Sequence, residues 1–134
     1  MSFDEDADKL DYNELPIVYS CSGCSNIAQL ANNIAVKMDR EGVAEMSCIA
    51  GVGGHVKPLV KKAKSGRPVI AIDGCILHCA KACLENEGVK PDIHYTLTEF
   101  GLKKTYHTEY SNDTVEEIYS HIVSEVDTKI ETTA

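Results

Sequence analysis

The sequence predicts an α/β fold: a three-layer, mainly parallel four-stranded sheet with helices on both faces. Three observations lead there. Four short apolar runs, at residues 15–19, 43–49, 69–72 and 93–97, read as strands. Segments with apolar residues at helical spacing separate the first three runs and follow the third, a βαβ alternation that favours parallel pairing. The length of 134 residues suits one domain with a sizeable core. The strand order expected is 2-1-3-4, as in flavodoxin/Rossmann-like sheets, because it sets the loops after strands one and three on opposite sides of a crevice.

Taken in order, Leu15-Pro16-Ile17-Val18-Tyr19 forms the first strand, with Pro16 tolerated at its start. Ile27, Leu30, Ala31, Ile34 and Met38 then mark the first helix, with Ser25 or Asn26 as its cap and Gly42 past its end. The second strand spans 43–49 and runs into Gly51-Val52-Gly53-Gly54. A second helix over 55–65 has Pro58 in its first turn and Gly66 beyond its end. Val69-Ile70-Ala71-Ile72 is a short apolar run expected as a buried strand, and a third helix is read over 75–86. Ile93, Tyr95 and Leu97 alternate with His94, Thr96 and Thr98 in a half-buried fourth strand. Residues 99–113 fit a loop or a short extra strand. Thr114 and Glu117 form a capping-box pattern for a last helix reaching about residue 129.

Composition narrows the class. The net charge of −8 is concentrated at the ends. Residues 1–14 carry six acids and one Lys, and residues 114–134 five acids and one Lys. The middle is near neutral, so no basic footprint for nucleic acid is expected. Residues 1–13 are read as an acidic flexible arm and 14–130 as a single domain. No apolar run reaches the roughly 20 residues a membrane span needs, and the acidic start is unlike a secretory signal. A cytoplasmic location without membrane contact is expected. Six cysteines in a reducing compartment point to ligands or redox groups before a disulfide framework.

The cysteines cluster at predicted strand ends. Cys21-Ser22-Gly23-Cys24 follows the first strand, and Asp73-Gly74-Cys75-Ile76-Leu77-His78-Cys79 follows the third. A closed zinc site takes about four sulfurs roughly 2.3 Å from the ion. On a helix from residue 75, Cys75 and Cys79 lie one turn and about 6 Å apart, whereas Cys83 lies about 12 Å from Cys75. At 100° per residue, Ile76, Leu77, Ala80 and Leu84 form the core face of that helix, and Cys83 falls at its edge. Cys83 therefore reads as a small buried hydrophobe. Cys21, Cys24, Cys75 and Cys79 are the ligands this geometry selects. Cys48, ending the second strand, either joins the site from the flanking loop, in place of Cys24 or as part of a site for more than one ion, or is an ordinary buried strand residue.

Other side chains carry weaker signals. Asp73 reads as a helix cap, or as a hydrogen-bond partner of a ligand. Gly74 suits close backbone approach. His78 and His55 are candidate ligands or partners of one, whereas His94, His107 and His121 have no supporting constellation. The glycine run at 51–54 is first a turn, and second a cradle of free N–H groups for an anion. Lys57, Lys61 and Lys64 recur on one helix face and read as solvated.

Several motifs together resemble a known family. Tyr19-Ser20-Cys21, Ser25-Asn26-Ile27-Ala28-Gln29-Leu30, Ala50-Gly51-Val52-Gly53-Gly54-His55 and Ala71-Ile72-Asp73-Gly74-Cys75 are similar to the DGC-domain family, over residues 15–110. The resemblance implies zinc chelation through four cysteines, and Cys21, Cys48, Cys75 and Cys79 fit its pattern. It assigns no activity. The function expected is a zinc-binding protein, with an iron–sulfur cluster as the alternative cofactor. Two other classes compete. One is a thiol-redox enzyme using Cys21 with Cys24, or Cys75 at a helix start. The other is a metal-dependent enzyme with an open coordination position, served by Asp73, His78 or His55.

Overall fold

Residues 11–133 are described by a computed structural model. Most of the arm expected over 1–13, namely residues 1–10, lies outside the described residues. The sheet is four-stranded and wholly parallel, in the order β2-β1-β3-β4. Its strands are β1 (Ile17–Ser20), β2 (Glu45–Met46), β3 (Val69–Asp73) and β4 (Ile93–Thr96). Every residue of β1 and β3 is buried, as central parallel strands covered on both faces must be. Both the fold class and the strand order are as the sequence predicts.

Five helices cover the sheet: α1 (Asn26–Arg40), α2 (Ile49–Gly53), α3 (Lys57–Ala63), α4 (Cys79–Asn86) and α5 (Asn112–Thr133). On one face, Leu30, Ile34 and Met38 of α1 and Ile118, Ile122 and Val126 of α5 pack on Val18, Ile70 and Ile72. On the other, Val52 of α2, Ala63 of α3 and Leu84 of α4 pack on Ile17, Tyr19, Val69 and Ala71. Alternate residues of β1 and β3 feed opposite cores, so a period-two pattern and a three-layer fold are one fact seen twice.

The elements depart from expectation at four places. The second strand shrinks to two residues because Cys48 already caps α2, its sulfur accepting from Gly51 N–H at 3.4 Å. The glycine run is therefore mostly helix, not a loop. A Cβ on Gly51 would stand 1.9 Å from Leu59 Cδ1, and one on Gly53 3.0 Å from the Cys83 sulfur. These glycines let α2 approach α3 and α4. With Gly51 N–H donating to Cys48 and Gly54 N–H to the Ala50 carbonyl, the anion-cradle reading falls.

The third predicted helix starts at Cys79 instead of residue 75. Residues 74–78 turn, and His78 takes the left-handed conformation at φ 52°. The helical wheel thus fails for this stretch: Ile76 and Leu77 are 78% and 68% exposed, whereas Ala80 and Leu84 are fully buried. After a 3-10 turn at Leu97–Phe100, residues 101–111 form a strap that touches the rest of the chain through an antiparallel bridge between Ser25 and Tyr106. The last helix is capped by Ser111, whose Oγ accepts from Thr114 N–H at 3.1 Å, so Thr114 is not the cap.

At the opposite end of the sheet, Arg67 ties the start of the fold together. Its guanidinium donates to the Tyr12 and Leu15 carbonyls and to Glu45 of β2. Burial pushes the Glu45 carboxyl up, but Lys62 and Arg67 outweigh it and hold the group below its ordinary value. Among the described residues no helix is long and apolar enough to cross a membrane.

Candidate functional site

The carboxyl ends of β1 and β3 lie side by side, with Ser20 paired to Ile72. One residue further, Cys21 N–H still donates to the Ile72 carbonyl at 3.1 Å, so the first cysteine leaves β1 alongside the Asp-Gly-Cys turn. Gly74 is what lets them meet. A Cβ there would stand 2.8 Å from both the carbonyl carbon and oxygen of Ile27, backbone atoms that cannot move aside. Its N–H donates to the Cys21 sulfur at 3.1 Å.

Asp73 is 1% exposed and fully engaged. Its carboxylate accepts from Ala80 N–H at 2.7 Å and Lys81 N–H at 3.2 Å, and pairs with His94 Nε2 at 2.8 Å. The expected capping role is thus met, although Asp73 caps from across the turn while His78 holds the N-cap position without a side-chain bond. His78 Nε2 lies 3.0 Å from Thr96 Oγ1, and its ring packs edge-on against His94 at 4.7 Å.

His94 is the residue that sequence reasoning missed. Register explains its place: Ala71 pairs with His94 and Asp73 with Thr96, so His94 and Thr96 share the face of Asp73. The alternation in the fourth strand already put His94 and Thr96 together. Only the parallel pairing with β3 turns that alternation into a contact with the cysteine turn.

In front of this network lies a cavity of about 290 Å³. Cys21, Cys24, Cys75 and Cys79 line it, with Ala28, Leu77, Lys104 and Tyr106. Burial raises the Cys21 thiol to about 11. Gly74 N–H works against this, while Asp73, Cys79 and Cys75 add to it by like-charge repulsion. Lys104 Nζ approaches the Cys75 sulfur at 3.5 Å, with the Tyr106 ring 5.4 Å away. Hydrogen bonds to Tyr106 and to Cys75 raise the Lys104 pKa.

The remaining candidates stand elsewhere. Cys48 caps α2 and does not line the cavity. Cys83 packs against Gly53 of α2, its thiol raised first by burial and then by Cys79 and Asp73. His55 turns outward, its Nδ1 2.9 Å from Glu87. Lys57, Lys61 and Lys64 are exposed, the solvated face expected. Among the described residues no three His, Cys, Asp or Glu side chains already stand at ligand spacing about one point. The donor chemistry nevertheless suits a soft divalent cation, since two thiols of the loop after β1, one of the turn after β3 and one at the start of α4 share one cavity.

Comparison with known proteins agrees with the motifs. Residues 17–122 match the family model described as the DGC domain. A Pseudomonas aeruginosa (strain PAO1) protein, the anaerobic and virulence modulator AnvM, is 63% identical to this chain over 92 residues. That alignment covers 69% of this chain and 70% of AnvM. No solved structure matches.

Proposed function

This chain belongs to the DGC-domain family, and from that premise we propose that it is a regulatory protein that binds zinc in its cysteine cavity. One observation carries the reading: Cys21, Cys24, Cys75 and Cys79, which follow two adjacent parallel strands in the chain, line the same cavity. These four are the proposed ligands. Cys48, which the family resemblance favours over Cys24, is engaged at the start of α2. A regulatory role draws on the relative, which is named a modulator.

When bound, zinc would supply a cross-link between these two segments. The chain's own groups prepare the sulfurs for it. The Gly74 N–H supports charge on Cys21, and the Lys104 ammonium sits beside Cys75. Because burial holds Cys21 protonated at neutral pH, uptake of an ion must displace a proton there, so affinity rises with pH. Asp73 is committed to three hydrogen bonds, which leaves it a poor acid or base for hydrolytic chemistry at the site.

The test is elemental. The whole chain, purified without added metal, is expected to carry close to one equivalent of zinc, and its cavity thiols should react only after chelation. Absence of zinc even from anaerobically purified protein sinks the reading. The Lys104–Cys75 contact favours a second reading, a thiol-redox site centred on Cys75. A reversible disulfide, formed and reduced without any effect of chelator, would select it.

A further inference from the structure

The strap lines one side of the cavity with Lys104 and Tyr106, and one side chain of α1 fastens it. Asn26 N–H donates to the Thr105 carbonyl at 3.0 Å. The Asn26 amide then clasps the same segment twice more: Oδ1 accepts from Thr105 N–H at 2.8 Å, and Nδ2 donates to the Lys103 carbonyl at 3.1 Å. Ser25 caps α1 through its hydroxyl, which leaves Asn26 free for this work. Lys104 lies between the clasped carbonyl and amide, so its backbone is pinned on either side of the side chain that reaches Cys75.

We propose that Lys104 is the counter-charge of the thiol cavity and determines how firmly the cavity keeps its ion. The inference rests on the zinc reading above. A divalent ion in four thiolates leaves a surplus of negative charge at the site. Lys104 brings a positive charge and a hydrogen bond to one of those sulfurs at 3.5 Å. Among the described residues no other ammonium or guanidinium group donates to a cysteine sulfur. Tyr106 steadies the ammonium through its ring, and the Asn26 clasp steadies the strap that presents both. Lys104 is a positioning residue: it holds a ligand, and the ion is held by the ligand.

The experiment uses the full chain loaded with zinc and competed against a chelator of known affinity. Loss of a group hydrogen-bonded to a metal ligand weakens affinity by roughly 10–100-fold. Because Lys104 is only half-buried, K104M is expected at the lower end, about 10-fold. K104E should be weaker still, K104R close to wild type, and N26A intermediate. Cobalt(II) gives a second readout: its sulfur-to-metal absorption should move to longer wavelength in K104M and return in K104R. Unchanged melting of the metal-free variants separates these effects from damage to the fold. Wild-type affinity in both K104M and K104E, with the ion lost in C75S, overturns the role of Lys104 and leaves the zinc reading intact. A wild-type chain that takes up neither zinc nor cobalt overturns the zinc reading, and this role with it.

Discussion

Gly74 decides how near α1 comes to the thiol turn. The nearest atoms to a Cβ at this position are the Ile27 carbonyl and the Ala28 amide nitrogen, all backbone and all within 3.0 Å. Even the smallest side chain must therefore push the turn off the helix. We expect G74A to cost about 1–3 kcal/mol, the usual range for overpacking, read as a lowered urea midpoint. It should also break the Gly74–Cys21 contact, making Cys21 more accessible to a thiol reagent in the metal-free protein. G74A with wild-type stability and thiol accessibility would contradict this account of the motif. The demand for glycine was legible in the sequence, because a strand-to-turn Asp-Gly-Cys leaves room for little else. The partner of that demand, the Ile27 backbone, was not, since it lies far away along the chain. His94 shows the same asymmetry: its neighbour Asp73 is set by pairing between strands, which no local pattern states.

At the scale of the element, α4 begins where Asp73 tells it to. The wheel drawn from residue 75 assumed that an apolar pair, Ile76 and Leu77, would be buried, but two backbone N–H groups bound to one buried carboxylate start the helix at Cys79. Capping outranked apolar spacing here, and periodicity alone cannot see a cap that acts from seven residues upstream. D73A should destabilise the fold by about 3 kcal/mol, since it strips charged hydrogen bonds from buried donors and leaves His94 unpaired. Hydrogen exchange at Ala80 and Lys81 reports the loss directly, and unchanged protection at both amides would refute the cap. His78 gives a finer test, because its left-handed backbone is strained for any residue with a Cβ. H78A keeps that strain and loses the Thr96 contact, whereas H78G loses the contact and sheds the strain. H78G is therefore expected to be more stable than H78A by about 1 kcal/mol, measured by equilibrium unfolding. The reverse order would mean that the turn does not need φ > 0.

For the whole molecule, the two ends of the pH scale should unfold the metal-free chain for different reasons. Glu45 is held below its ordinary carboxyl value of 4.5, so its contribution is present above that pH and is lost as acid protonates the folded state. Cys21 works in the opposite sense. Its thiol ordinarily titrates near 9.0 and is raised to about 11 in the fold. Below 9 that stability is fully present; between the two values only the unfolded chain ionises, so stability falls as pH rises. Denaturant midpoints measured with chelator present should be level near neutrality and decline above about pH 9, and C21S should flatten that alkaline decline. An unaltered alkaline limb in C21S would place its cause elsewhere. The fold at this scale was the part most open to sequence reasoning. Two apolar runs without alternation suit the centre of a parallel sheet, whereas the order 2-1-3-4 rests on likeness to flavodoxin-type sheets, because right-handed crossovers alone allow other orders as well.

The strand order also imposes a timetable. Synthesis runs from the amino end, yet β1 takes its central partner from β3, and the Asn26 clasp waits for Thr105, 79 positions later. At ribosomal speeds of about 5–20 residues per second, Cys21 and Cys24 exist for on the order of ten seconds before the strap emerges. During that interval a growing chain offers a bare thiol pair and no enclosure. The strap can dock only after translation has passed residue 105, so a prematurely terminated chain would present the cysteines to the cell without Lys104 and its clasp.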